Sequence, residues 1–146
     1  TLFPYTTLFR SQGLEGKIET YEKQVVEIET AMKSPDAVKT ILLLDEEKNL
    51  YAAMLRLCDR LDMKKMKELH GVKKLRMSTA DEAFSRSGYA VGGIPPLGYE
   101  ARFVMDEEVL GLKQMQAGGG DAHSLLYMQV GDVLRDTGAD VKQIRR

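Results

Sequence analysis

The sequence predicts a mixed α/β (α+β) domain, in which short helices flank a single curved mixed β-sheet. About six short apolar segments alternate with short amphipathic segments along the chain, as in proteins that pack helices on one sheet. The length of 146 residues, with 43% hydrophobic and 29% charged residues, is typical of one globular domain. No apolar run has the length of a membrane span.

The first half of the chain predicts a helix followed by a β-hairpin. The helix is expected over residues 18–33, where apolar side chains recur at helical spacing, namely Tyr21, Val25, Ile28 and Met32. Two apolar runs, residues 39–44 and 50–57, then flank a polar turn. Because both runs have strand-like composition and a short turn joins them, they are expected to pair with each other.

Two further helices are indicated by their capping residues. Asp62 can cap a short helix over residues 63–70, and Gly71 supplies its C-terminal stop. Thr79 and Glu82 have the spacing of a capping box, which opens the second helix. The remaining predicted elements are strands over 73–77, 101–105, 112–117 and 124–130, one helical turn over 106–110 and a short helix over 132–137.

The segment 88–99 is the most informative part of the sequence. It holds four glycines and two adjacent prolines, with apolar residues between them. Pro95 and Pro96 have no N–H group and a fixed φ, so they cannot lie in a central strand. Gly92 and Gly93 allow a partner to approach the backbone closely. The segment therefore predicts a rigid loop with exposed amides, although an ordinary connection between a helix and a strand has similar composition.

Five short motifs occur here in a characteristic order. They are a lysine that opens an apolar strand (residues 38–44), a D-R-x-D-x-x-K segment (59–65), a G-x-x-x-P loop (92–96), a Gly-rich strand end (117–120) and a closing pattern over 132–144. No single motif is specific, but the ordered set resembles the YbaK-like family. That family includes the editing domain of bacterial prolyl-tRNA synthetases and free-standing aminoacyl-tRNA deacylases.

The resemblance implies a fold, an activity and a site. The fold is a mixed, barrel-like sheet flanked by helices. The activity is hydrolysis of the ester of mischarged tRNA, which needs no metal and no organic cofactor. Lys39 is implied as the catalytic residue, in contact with the tRNA acceptor end near the scissile ester. Taken alone, a strand lysine is more often a solvated residue.

Two glycine-rich loops are the candidate substrate-binding residues. Backbone amides of the first loop could stabilise the oxyanion that forms when an aminoacyl ester is hydrolysed. The second loop, around residues 118–120, could form another wall of the pocket or be a flexible hairpin tip. His123 beside it could position water as a base. The substrate-binding set is Gly92, Gly93, Ile94, Pro95, Pro96, Gly118, Gly119 and His123.

Charge is uneven along a chain whose net charge is −1. Residues 56–76 hold eight basic side chains, which only three acidic ones oppose. Such a basic segment could bind tRNA phosphates, although a solvated helix face is an equally common reason for it. The predicted tRNA-binding residues are Arg60, Lys64 and Lys65.

The N-terminal segment and the single cysteine give further expectations. Residues 1–11 resemble translated sequencing adapter, so the editing domain is expected to occupy residues 12–146, and its N-terminus could be truncated. Cys58 cannot form an internal disulfide, which fits a reducing cytoplasm, and it is expected to be buried at a strand end.

The expected partner is tRNA, an aminoacyl-tRNA synthetase is a further candidate, and no membrane is expected. Two alternatives remain open at this point. The first is a catalytically silent tRNA- or synthetase-binding module with the same fold. The second is a small-ligand-binding α/β protein that has no RNA partner.

Overall fold

The computed structural model of the protein describes residues 16–146. The proposed adapter segment, residues 1–11, lies outside the described residues. The strands are β1 (Gly16–Thr20), β2 (Val38–Asp45), β3 (Leu50–Arg56), β4 (Leu75–Met77), β5 (Arg102–Asp106), β6 (Gln114–Gly118), β7 (Ser124–Gln129) and β8 (Asp140–Lys142). The helices are a 3₁₀ turn (Val25–Glu27), α1 (Glu29–Met32), α2 (Met63–His70), α3 (Ala80–Ser87), α4 (Glu107–Leu110) and α5 (Val130–Thr137). The mixed α/β class with short flanking helices is confirmed.

The described strands form two sheets, and neither closes into a barrel. A five-stranded mixed sheet has the order β4-β2-β3-β5-β8, and a three-stranded antiparallel sheet has the order β1-β7-β6. The sheets meet where Ala37, just before β2, forms a parallel bridge to Gln116 of β6. The Gln116 amide also donates to the Asp36 carbonyl oxygen at 2.8 Å. A parallel bridge therefore connects the two sheets at this junction.

Two apolar cores lie on opposite faces of the five-stranded sheet. The larger core packs Val38 and Leu42 of β2 against Met115 of β6 and Leu126 of β7. The smaller core contains Leu43 of the same strand, together with side chains from β3, α2 and the chain end. Successive side chains of a strand point to opposite faces. Because both faces of β2 and β3 are covered, these strands are apolar almost throughout.

Local sequence chemistry sets several element boundaries as predicted. The hairpin is confirmed, since Val38 pairs with Arg56 and Leu44 pairs with Leu50 in antiparallel register. The Asp62 side chain accepts a hydrogen bond from the Lys65 amide, and Gly71 ends α2 with a φ of 64°. The capping box of Thr79 and Glu82 is also formed at the start of α3.

The predicted helix over residues 18–33 is wrong. Its first part is strand β1, which pairs antiparallel with β7 from Gly16↔Met128 to Thr20↔Ser124. The remainder is the 3₁₀ turn and the four-residue α1. Ile18 packs against the larger core from β1, so tertiary pairing outweighs the helical spacing. Strand β8, which pairs in parallel with β5, was also not predicted.

Candidate functional site

A cavity of about 240 Å³ lies at the junction of the two sheets. Its walls come from the start of β2, the end of β6, the start of β7 and the loop that contains Gly92 and Ile94. The turn and α1 close a further side with apolar side chains such as Val25 and Met32. In the part of the chain that the structure describes, the lining is mostly apolar, includes Lys39 and contains no carboxylate, so it suits an apolar group beside a polar one.

The two glycine-rich loops are packed directly against each other. A Cβ atom on Gly93 would lie 2.4 Å from the backbone of Asp121, and a Cβ on Gly118 would lie 2.3 Å from the Ile94 carbonyl oxygen. Both positions therefore require glycine, because no larger residue fits without moving main chain. Gly119 is equally confined, by the backbone of residues 124–125. The structure thus brings together the two loops that the sequence analysis proposed as separate pocket walls.

The main-chain amides of the first loop, residues 92–96, differ in their hydrogen bonding. The Gly93 amide donates to the Ala90 carbonyl oxygen at 3.1 Å, which closes a turn. In contrast, the amides of Gly92 and Ile94 donate no hydrogen bond to any described residue, and both residues line the cavity. Gly92 has a φ of 98°, which favours glycine.

Hydrogen bonding fixes the direction of one free amide. The Gly93 carbonyl oxygen accepts a hydrogen bond of 2.8 Å from the Gly120 amide. That carbonyl and the Ile94 N–H belong to one planar peptide unit, which is trans. The Ile94 N–H therefore points away from Gly120 and is held in that direction.

Lys39 belongs to the cavity lining, and its ammonium is partly engaged. The Nζ atom donates to the Asp59 carbonyl oxygen at 2.5 Å and to the Leu57 carbonyl oxygen at 3.4 Å. An ammonium has three donors, so one remains for a ligand. Burial lowers the pKa of Lys39 and Arg60 lowers it further, while Asp59 and Cys58 act in the opposite direction.

Three other polar side chains line the cavity, and the sequence analysis missed them. The Ser124 hydroxyl lies 3.1 Å from the Thr20 hydroxyl, and the Gln116 side-chain amide donates to the Ala31 carbonyl oxygen at 2.9 Å. The Thr40 hydroxyl is buried and has no partner. Thr40 directly follows Lys39 on β2, and the cavity that both residues line is formed by tertiary packing, which the sequence pattern does not reveal.

His123 does not line the cavity. Its amide donates to the Asp121 side chain at 2.8 Å, and its carbonyl oxygen accepts from the Tyr21 amide at 2.8 Å. These main-chain contacts hold the loop between β6 and β7 against the segment after β1. The structure therefore gives His123 a position in the wall behind the glycines, away from the lining.

Comparison with models of known families shows the family to which the chain belongs. Residues 17–135 match the model of the aminoacyl-tRNA editing domain, which covers most of the chain. The chain belongs to this family. The matched residues include Lys39 and both glycine loops, so the cavity lies inside the editing domain. Membership gives the protein an aminoacyl-tRNA editing role, for which tRNA is the substrate.

Solved structures share the fold over nearly the whole chain. One, reported as a hypothetical protein, is 29% identical, with a TM-score of 0.87 over 98% of this chain and 99% of its own. Another, reported as a proposed trans-editing enzyme for prolyl tRNA synthetase, is 24% identical, with a TM-score of 0.86 over 99% of this chain and 96% of its own. The second likeness bears on the fold alone.

The predicted tRNA-binding residues of this editing domain differ in their surroundings. Arg60 and Lys64 are exposed, and Arg60 is close enough to lower the pKa of Lys39. Lys65 is partly buried, and its Nζ donates to the Arg145 carbonyl oxygen at 2.9 Å. Two of the three side chains are thus exposed, whereas the third is hydrogen-bonded to the main chain near the end of the sequence.

Cys58 is exposed, so the expectation that it is buried is wrong. The residue follows β3 and lies in the turn whose carbonyl oxygens accept from Lys39. Within residues 16–146, no group of three or more His, Cys, Asp or Glu side chains could hold a metal ion. No helix in this range is long and apolar enough to cross a membrane.

Proposed function

We propose that the protein is an aminoacyl-tRNA deacylase, which hydrolyses the ester bond of mischarged tRNA. The observation that supports this most strongly is at Gly92 and Ile94, which both line the cavity and whose amides donate to no described residue. Water attacks the ester carbonyl, and negative charge develops on its oxygen. Preorganised N–H donors stabilise that charge, and loss of one such donor costs about 10²- to 10³-fold in rate.

The proposed role of Lys39 is to hold the acceptor end. Two of its N–H groups donate to the carbonyl oxygens of Leu57 and Asp59, so the ammonium has a fixed position. Its third N–H is assigned to the terminal phosphate or to the ester oxygen. A positive charge at either place opposes the negative charge of the RNA or of the transition state.

Proton transfer is assigned to the substrate and solvent. Among the described lining residues, Lys39 is the one ionisable side chain, and neither a carboxylate nor an imidazole is present. In this account the vicinal ribose hydroxyl of the substrate accepts the proton of the attacking water and gives its own proton to the departing ribose oxygen. The products are the free amino acid and tRNA with its hydroxyl restored.

Editing of this kind has a clear physical need. Small side chains differ too little in binding energy for a synthetase to reject every wrong one, so a second site removes the errors. We therefore propose that the protein acts on released tRNA in the cytoplasm, with or without a synthetase that delivers it.

The test is deacylation of a panel of mischarged tRNAs, including Cys-tRNA(Pro) and Ala-tRNA(Pro), by the full chain. We expect hydrolysis of at least one member and its loss in Lys39→Ala. Lys142→Ala is the matched control, because Lys142 is an exposed lysine of β8 remote from the lining.

Three outcomes would change the account. A folded protein that binds tRNA and hydrolyses no member would be the catalytically silent binding module. Full activity in Lys39→Ala would keep the enzyme and remove Lys39 from the mechanism. Absence of salt-dependent tRNA binding would favour the small-ligand-binding protein instead.

A further inference from the structure

The loop of residues 92–96 is anchored by an aromatic residue that does not line the cavity. The Tyr99 hydroxyl donates to the Pro95 carbonyl oxygen at 2.7 Å. The Tyr99 ring packs against the larger core and lies 5.4 Å from the Phe103 ring, between centroids. Because β5 holds Phe103 in register beside β3, the phenol is attached to a rigid element.

A stiff segment connects the carbonyl group that Tyr99 holds to the Ile94 amide. Pro95 and Pro96 are buried and have fixed φ angles, and each proline also restricts the residue before it. Ile94 lies between two fixed points, because the Gly93 carbonyl oxygen accepts from Gly120 on one side and the Pro95 carbonyl oxygen accepts from Tyr99 on the other. Loss of the second point would leave the peptide unit that presents the Ile94 amide held from one side only.

From this geometry, and resting on the proposed function, we infer that Tyr99 is a positioning residue for hydrolysis, which acts together with the Gly120 amide to hold the Ile94 amide in place by fixing the Pro95 carbonyl. It touches neither the substrate nor the reacting atoms. Burial raises the pKa of the Tyr99 phenol, so the hydroxyl stays a donor throughout the neutral range.

The substitution Tyr99→Phe tests this inference, since it keeps the ring and removes the hydrogen bond. A small displacement of a catalytic group costs up to about 100-fold in rate. We expect a fall of about 10-fold or more in kcat on the mischarged tRNA, with KM changed less than about 2-fold. The amide ¹⁵N–¹H signals of Ile94 and Gly92 are expected to shift.

Tyr51→Phe is the matched control, because it removes another tyrosine hydrogen bond, which the Tyr51 hydroxyl donates to Asp45 at 2.8 Å, in the smaller core and away from the cavity lining. We expect it to lower Tm while kcat at 25 °C stays near the wild-type value. If Tyr99→Phe likewise lowered Tm without changing kcat, Tyr99 would be a structural anchor only and the inference would be overturned.

The design separates this inference from the proposed function. If the wild-type protein hydrolyses nothing, the deacylase proposal fails, and the positioning role for hydrolysis fails with it. The NMR signals then still report whether Tyr99 orients the loop. If the wild type is active and Tyr99→Phe leaves both kcat and the Ile94 signal unchanged, only the positioning inference fails.

Discussion

The ammonium of Lys39 lies 2.5 Å from the main-chain carbonyl oxygen of Asp59. This contact joins two motifs that are separate in the sequence, the lysine-led strand and the D-R-x-D segment. Carbonyl oxygens of the turn after β3 thus accept hydrogen bonds from the lysine ammonium, and the same turn contains Arg60. The carbonyl oxygen accepts from the ammonium and adds no charge of its own, while burial lowers the pKa of Lys39.

Basic residues near the cavity are expected to differ in their effect on tRNA binding. Arg60→Ala and Lys64→Ala should each weaken binding and reduce the salt dependence of log K by about one unit of slope, as loss of one phosphate contact does. Lys65→Ala should change the slope little and lower stability instead, because its Nζ is bonded to the Arg145 carbonyl oxygen. Filter binding at several salt concentrations measures the slopes.

Equal slopes in all three variants would contradict this account of the surface. A change with Lys65→Ala as large as that with Arg60→Ala would show that Lys65 exchanges its internal partner for RNA.

The contact between the glycine loops predicts a sharp difference between two Gly→Ala substitutions. Gly118→Ala would place a Cβ 2.3 Å from the Ile94 carbonyl oxygen, so the loop must move and deacylation should fall by about 100-fold or more. Gly131→Ala has nothing within 4 Å of its Cβ. In helix α5 it should keep activity and stabilise the protein by about 0.5–1 kcal/mol.

Thermal unfolding and deacylation rates of both variants check this prediction. A Gly118→Ala protein with wild-type activity would show that the spacing of the two loops is unimportant for the reaction.

Among the described carboxylates, buried Asp106 is expected to be the one whose substitution lowers the free energy of unfolding most. It is fully buried and accepts from the amides of Ile144 and Arg145 and from the Arg145 guanidinium at 3.1 Å. Asp106→Asn leaves that guanidinium without its buried partner, and we expect a loss of about 3 kcal/mol in the free energy of unfolding. Urea unfolding measures it, with Glu107→Gln at the exposed neighbour as control. Equal small losses in both would contradict the prediction.

His70 is expected to make stability depend on pH between about 7 and 5. Burial lowers the pKa of His70 and Arg102 lowers it further, while Asp140 opposes them. Its buried Nε2 has no partner, and the ring centroid lies 4.6 Å from that of Tyr51. The unfolded chain binds the proton at higher pH than the folded protein does, so stability falls as pH drops below about 6.5.

His70→Phe should remove this decline, because phenylalanine keeps the ring packing and does not titrate. Urea unfolding at pH 7.5 and 5.0 measures the difference, and His123→Gln serves as control. An unchanged decline in His70→Phe would assign the pH dependence to other groups.

Elements whose ends depend on nearby residues could be predicted from sequence. Helix α2 has the predicted bounds, because Asp62 and Gly71 cap it locally. The hairpin register follows from one short turn. Strand β1 could not be predicted, since its partner β7 is distant in sequence and its apolar spacing also fits a helix.

The candidate site was partly accessible from sequence. The ordered motifs led to Lys39 and to the two glycine loops, which the structure brings to one cavity. The contributions of Thr40 and Tyr99 could not be read in this way. Each depends on what the folded chain places opposite the residue: a cavity for Thr40 and the Pro95 carbonyl oxygen for Tyr99.

The most direct test of the account follows the loop amides during binding. Amide-linked aminoacyl-adenosine is a stable mimic of the tRNA 3′ end, and it can be titrated into ¹⁵N-labelled full-length protein. We predict that the signals of Gly92 and Ile94 shift most strongly, together with Lys39, whereas Gly131 stays unchanged. Binding with unchanged Gly92 and Ile94 signals, and shifts elsewhere on the surface, would contradict the assignment of this cavity as the ester site.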